Sequence, residues 1–155
     1  MRLQVAAVGR LKSGPELALV QDYLARFAKT GRAVGLPPVE ISEVEDKSGR
    51  GMSAEGPLLE KALLPGAFVI ALDERGEQLT SPEFAAVLAR QRDAARDVSI
   101  VVGGADGIDP ALRARADQSI SFGRMVWPHM LVRVMLAEQL YRAATILAGS
   151  PYHRV

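Results

Sequence analysis

Two hydrophobic patterns take turns along this chain. The first is a short apolar run, nearly unbroken at Leu3–Val8, Ala67–Leu72 and Val98–Val102 and interrupted by polar residues at Val39–Val44 and Gln118–Phe122. Runs of this length suit strands, and the central ones lack the in-out alternation of a half-exposed sheet, so both of their faces are expected to be covered. The second pattern is helical. After Ser13, a suitable capping residue, Leu17, Val20, Leu24 and Phe27 recur at spacings of three and four. The polar stretch Glu45–Ser53 predicts a loop, Leu58–Leu63 a short helix, and Asp73–Leu79 (DERGEQL) a turn. Thr80 and Glu83 have the spacing of a capping box, with Pro82 suitably early in a helix to about Gln91. Asp109-Pro110 opens another helix, and His129–Ala148 is a long final one.

Strands alternating with helices predict an α/β fold with a mostly parallel sheet and helices on both faces. At 155 residues the chain, 1–155, is expected to be a single domain with a core of its own. Ligands in such sheets bind beyond the carboxyl ends of strands. Leu72, Val102 and Phe122 stand out as such ends, and if these strands are neighbours their loops form one pocket. The middle segment, GGADGIDP, places Gly103, Gly104 and Gly107 ahead of a helix start. Its spacing is not the G-x-G-x-x-G of dinucleotide sites, and no Gly-Lys-Ser/Thr phosphate loop occurs anywhere in the chain. Asp106 and Asp109 add negative charge where a phosphate would sit. The turn is shaped for a ligand without phosphate.

The final helix is two-sided. Val132, Leu136, Leu140, Ala143 and Leu147 share a narrow arc, the expected core face. Arg133, Glu138, Tyr141 and Arg142 fall on the opposite half, with Glu138 and Arg142 spaced for an i,i+4 ion pair. Val134, Met135 and Ile146 lie among or beside them, and a mixed face of this kind suits a second subunit. The chain then ends in GSPYHRV, where Tyr152, His153 and Arg154 supply a ring to stack on a base, a proton carrier near neutral pH, and an anion partner. His129, the other histidine, opens the long helix as either a first-turn capping residue or a site residue.

Composition narrows the classes. Apolar residues make up 48% and charged residues 24%, values of a globular chain. The net charge of +1 gives no broad basic field, so a nucleic-acid partner has to meet a local patch. Arginine outnumbers lysine 15 to 4, which a G+C-rich genome explains as well as phosphate binding does. Cysteine is absent, which fits a cytoplasmic location. The first residues do not read as a signal peptide, and neither a membrane nor a metal partner is expected.

The segments LDERG, VVGGADGI and PHMLVRVMLAEQLYRAATILAGSPYHR resemble the small single-domain methyltransferases of the SPOUT superfamily, specifically the RlmH type. The likeness runs from RLQVAAVGRLK to the tail. It implies a homodimer that uses S-adenosyl-L-methionine to methylate N3 of a pseudouridine in 23S rRNA on the assembled ribosome, and a C-terminal trefoil knot. By the same resemblance the cofactor contacts fall on Leu72, on Gly103, and on Phe122, Gly123, Arg124, Met125, Val126 and Trp127. The early part of that last loop departs from the family, which often has small polar residues where this chain has Phe122-Gly123-Arg124. The resemblance also brings the tail and long helix near the site. There His153 or Glu138 would assist loss of the N3 proton, Arg142 or Arg154 would hold the resulting anion, and Tyr152 would pack on the base. Two other classes share the strand-end pattern: a flavodoxin-like nucleotide- or flavin-binding protein, and a non-enzymatic ribosome-assembly module.

Overall fold

A computed structural model describes residues 1–153 of the chain. In chain order the elements are β1 (Leu3–Val8), α1 (Pro15–Arg32), β2 (Val39–Val44), α2 (Met52–Ala62), β3 (Phe68–Gln78), α3 (Ser81–Asp93), β4 (Val98–Val102), α4 (Pro110–Arg115), β5 (Gln118–Ser121) and α5 (His129–Ala148). The strands form one sheet in the order β2-β1-β4-β3-β5, and every pairing is parallel. The chain is therefore an α/β protein with helices on both sheet faces.

Strand periodicity sorts the core. Leu3, Val5 and Ala7 point to one face with Ile70, Leu72, Val98, Ile100 and Val102, where they meet Phe27 of α1, Phe84 and Leu88 of α3, and Leu136 and Leu140 of α5. Ala6, Val8, Val69, Ala71 and Val101 point to the other face and meet Leu59 of α2 and Leu112 of α4. The buried polar groups within this sheet are paired. Gln4 Nε2 donates to Ser42 Oγ and to the Ala62 carbonyl, and Ser99 Oγ donates to Gln4 Oε1.

The expected capping box is present, with Glu83 N donating to Thr80 Oγ1 and Thr80 N to a Glu83 carboxylate oxygen. Four local expectations are corrected. Asp73–Leu79 is not a turn: β3 runs on to Gln78, and its register against β5 slips between Leu72 and Glu77. Gly76 permits this, since a Cβ there would stand 2.6 Å from the Ser119 carbonyl carbon and 2.7 Å from Ile120 N. The polarity of Glu74–Gln78 reflects exposure beside an edge strand, and Gly76 a close approach of the two backbones. Second, α2 begins at Met52 rather than Leu58, with Ala54 N and Glu55 N both donating to the Gly51 carbonyl. Pro57 lies inside this helix, where it removes the bond to the Ser53 carbonyl. Third, Ser13 does not cap α1: Gly14 is the cap residue, with φ +117° and no side-chain bond. Fourth, Arg133, expected opposite the core face of α5, is buried, and Ile146, expected on the face toward a second subunit, packs against the core.

Candidate functional site

Strands β4, β3 and β5 are neighbours, so Leu72 lies in register with Val102 on one side and Ile120 on the other. The segments leaving their carboxyl ends enclose a cleft. Leu72, Gly103, Phe122, Gly123, Met125, Val126 and Trp127 line it, together with Gly104, Gly107, Asp73, Glu74 and His129. Arg124 is exposed and is not part of the lining.

The glycine turn shapes the floor. Gly107 N donates to the Gly104 carbonyl at 3.1 Å, folding the loop back on itself. Gly103 lies under that fold, and a Cβ there would be 2.5 Å from the Gly107 carbonyl oxygen. No other residue fits, and the absence of a side chain leaves strand-end backbone facing the cleft.

Charge decides what this cleft can hold. No lysine or arginine is among its lining residues. Asp73 is nearly buried, and its carboxylate accepts from Arg75 Nε at 2.9 Å and from Arg113 Nη1 at 3.4 Å. The hydrogen bonds from Arg75 hold the Asp73 carboxyl below its ordinary range against the opposing effect of burial. A cleft of glycine backbone, apolar side chains and carboxylates suits an uncharged or cationic ligand. S-adenosylmethionine, with an adenosine, a sulfonium and no phosphate, fits this lining; a nucleotide phosphate does not.

The first turn of α5 is fastened beside the cleft. Arg133 Nη1 donates to the Gly9 carbonyl at 3.1 Å and Nη2 to Glu43 Oε2 at 2.7 Å. Glu43 Oε2 also accepts from Leu11 N at 2.9 Å. The arginine thus joins the segment after β1 and the end of β2 to α5, which explains its burial. Sequence periodicity could not disclose this partner, because Glu43 is 90 positions away.

The remaining candidates gather further along α5. Glu138 Oε1 accepts from Arg142 Nε at 2.9 Å and from Arg142 Nη2 at 2.5 Å, and also from the Tyr152 phenol at 3.1 Å. Glu138 Oε2 accepts from Gln139 Nε2. Arg142 stacks over the Tyr152 ring at 5.0 Å, and Tyr141 meets the same ring at 4.6 Å between centroids. His153 Nδ1 is buried with no hydrogen-bond partner among the described residues. Arg154 lies outside the described residues.

These two groups are separate within one chain. Along α5, His129 and Glu138 are nine residues apart, an axial distance of about 14 Å. A second groove, lined by Tyr23, Phe84, Val134, Met135 and Glu138, shares Phe122 and Gly123 with the cleft, so the loop after β5 is a wall between them. Apolar side chains on and after this loop are exposed, Met125 at 74% and Val126 at 75%, with Trp127, Met130 and Leu131 also open.

Sequence reasoning missed Asp73 and Arg133 as parts of this region, and left Gly104 and Gly107 out of the ligand set. The signal for the glycines was present in the GGADG spacing. For Asp73 it was obscured, because LDERG reads as a turn.

Comparison with known proteins gives the following. The family model described as "Predicted SPOUT methyltransferase" matches residues 1–153. A protein of Cereibacter sphaeroides named "Ribosomal RNA large subunit methyltransferase H" is 69% identical over 155 residues, covering 100% of both chains. Proteins of the same name from Paracoccus denitrificans and Roseobacter denitrificans are 68% and 61% identical, each comparison covering 99% of both chains.

Proposed function

The chain belongs to the SPOUT methyltransferase family, and from that membership we propose that it is a large-subunit ribosomal RNA methyltransferase. Its methyl donor is S-adenosylmethionine and its target N3 of a pseudouridine in 23S rRNA of the assembled ribosome. The observation that carries the donor assignment is the cleft at the ends of β3, β4 and β5, floored by glycine backbone and lined by no lysine or arginine. The relatives named as large-subunit rRNA methyltransferases support the RNA substrate.

When bound, S-adenosylmethionine supplies an electrophilic methyl group on a sulfonium. The chain's own residues do the rest. Gly103 and Gly104 would present backbone to the adenosine, Leu72, Phe122 and Trp127 would exclude water around it, and Arg75 and Arg113 favour the ionised form of Asp73. The acceptor nitrogen carries a proton between two carbonyl groups, so its loss leaves an anion spread over two oxygens. Glu138 has both oxygens engaged, on Arg142, Tyr152 and Gln139. That role suits holding rather than proton transfer. His153, with its free Nδ1, is the better base. Arg142 spends Nε and Nη2 on Glu138, leaving Nη1 for the imide anion, a task that Arg154 could share. Tyr152, already stacked against Arg142 and Tyr141, is placed to present its ring to the base.

We further propose a homodimer in which the tail of one copy completes the cleft of the other. The support is the separation of the two groups along α5 and the exposed apolar residues around the loop after β5. On the family membership we propose a trefoil knot of the C-terminal segment as well. The reading implies a cytoplasmic protein, and no helix among the described residues is long and apolar enough to span a membrane.

The test is methyl transfer from labelled S-adenosylmethionine to intact ribosomes, with the modified nucleotide mapped. Label on N3 of one large-subunit pseudouridine is expected. Absence of label, or label on another base, overturns the reading.

A further inference from the structure

Glu55, in the first turn of α2, takes no part in the chemistry described above. Its Oε1 is shielded from solvent and has no hydrogen-bond partner among the described residues. The carboxylate presses on Gly104: a Cβ at that glycine would stand 3.1 Å from Glu55 Oε2 and 3.2 Å from Oε1. Gly104 lines the cleft and Glu55 does not, so the carboxylate lies behind the lining at that glycine. Asp106, which adds its charge to the same locality, forms no ion pair among the described residues, and neither does Glu55. Burial pushes the Glu55 carboxyl upward, Asp106 and Asp46 push it further, and His129 opposes them.

Burial and the neighbouring acids disfavour the ionised carboxylate, and a cation in the cleft would favour it. Packing alone does not require a carboxylate here, because a glutamine would fill the same space without charge. What the charge can do is act on the cleft. We propose that Glu55 is a specificity residue for the cofactor, its carboxylate behind the Gly104 wall supplying the negative field that selects a cationic adenosyl donor over an uncharged adenosyl thioether. The inference rests on the S-adenosylmethionine reading above. Because Gly104 stands between, Glu55 works through its field and not by proton transfer. A side chain at Gly104 would displace the carboxylate and weaken that field.

The experiment is calorimetric binding of S-adenosylmethionine and of uncharged 5′-methylthioadenosine to the wild type, Glu55→Gln and Glu55→Asp. Glu55→Gln is expected to bind S-adenosylmethionine about tenfold more weakly and methylthioadenosine unchanged. Glu55→Asp, which keeps the charge, should retain most of the discrimination. Circular dichroism establishes that each variant is folded. Equal weakening of both ligands by Glu55→Gln, or no weakening, overturns the role of Glu55 and leaves the cofactor reading intact. A wild type that binds neither ligand removes the cofactor reading, and this inference falls with it.

Discussion

Tyr152 and Glu138, 14 positions apart, are joined by a 3.1 Å hydrogen bond from the phenol to Oε1. Gly149, with φ +70°, ends α5 and turns the chain so that the tail lies back along the helix. Burial and the neighbouring Glu138 charge push the Tyr152 phenol up to about 12. A raised acid value means that folding favours the neutral phenol. Its contribution to stability is complete below the ordinary tyrosine value near 10 and is lost as pH rises through about 12. Ultraviolet titration should therefore show a late-ionising phenol that disappears in Tyr152→Phe. In Glu138→Gln it should move back toward the ordinary value; an unmoved titration in that variant would show that the two side chains do not meet.

Gly103→Ala places a methyl group 2.5 Å from the Gly107 carbonyl oxygen, with backbone on both sides of the contact. The glycine turn has to shift, at a cost of about 1–3 kcal/mol. Thermal melting should register that loss, and calorimetry should find S-adenosylmethionine affinity down by at least about tenfold. Undiminished affinity in a folded variant would contradict the assignment of the cleft.

Met135 and Val134 line the groove on the other side of the loop after β5, beside Glu138. If a second copy covers this groove, Met135→Glu buries an unpaired charge in the contact. Sedimentation should then give monomers where the wild type gives dimers, and methyl transfer should fall in parallel. A wild type that sediments as a monomer at micromolar concentration rejects the shared site.

Arg133→Ala leaves the Gly9 carbonyl and Glu43 without their buried donor, at a cost of about 3 kcal/mol. A single ammonium does not reproduce the guanidinium fork that reaches both acceptors, so Arg133→Lys should recover little of the loss. Chemical denaturation measures both variants. Wild-type stability in Arg133→Ala would mean that the link from the segment after β1 and the end of β2 to α5 carries no weight.

Much of this architecture is written locally. Apolar runs such as VSIVV are legible because a strand covered on both faces needs no polar alternation. The α5 core face is legible because Leu136 and Leu140 recur on a helical arc, and Thr80 and Glu83 announce α3 because a capping box is closed within four residues. The cleft's position followed from strand ends and glycines, and the family likeness added its occupant. Tertiary structure decided the rest. That DERGEQ continues a strand depends on β5 lying against Gly76, and the burial of Arg133 depends on Glu43, which is distant in sequence. Glu55 falls between the expected loop Glu45–Ser53 and the expected helix Leu58–Leu63, and it carries no signal until Gly104 is set against it. Local pattern reports what a residue prefers beside its sequence neighbours, whereas these three roles arise from groups that only the closed sheet brings within a few ångströms.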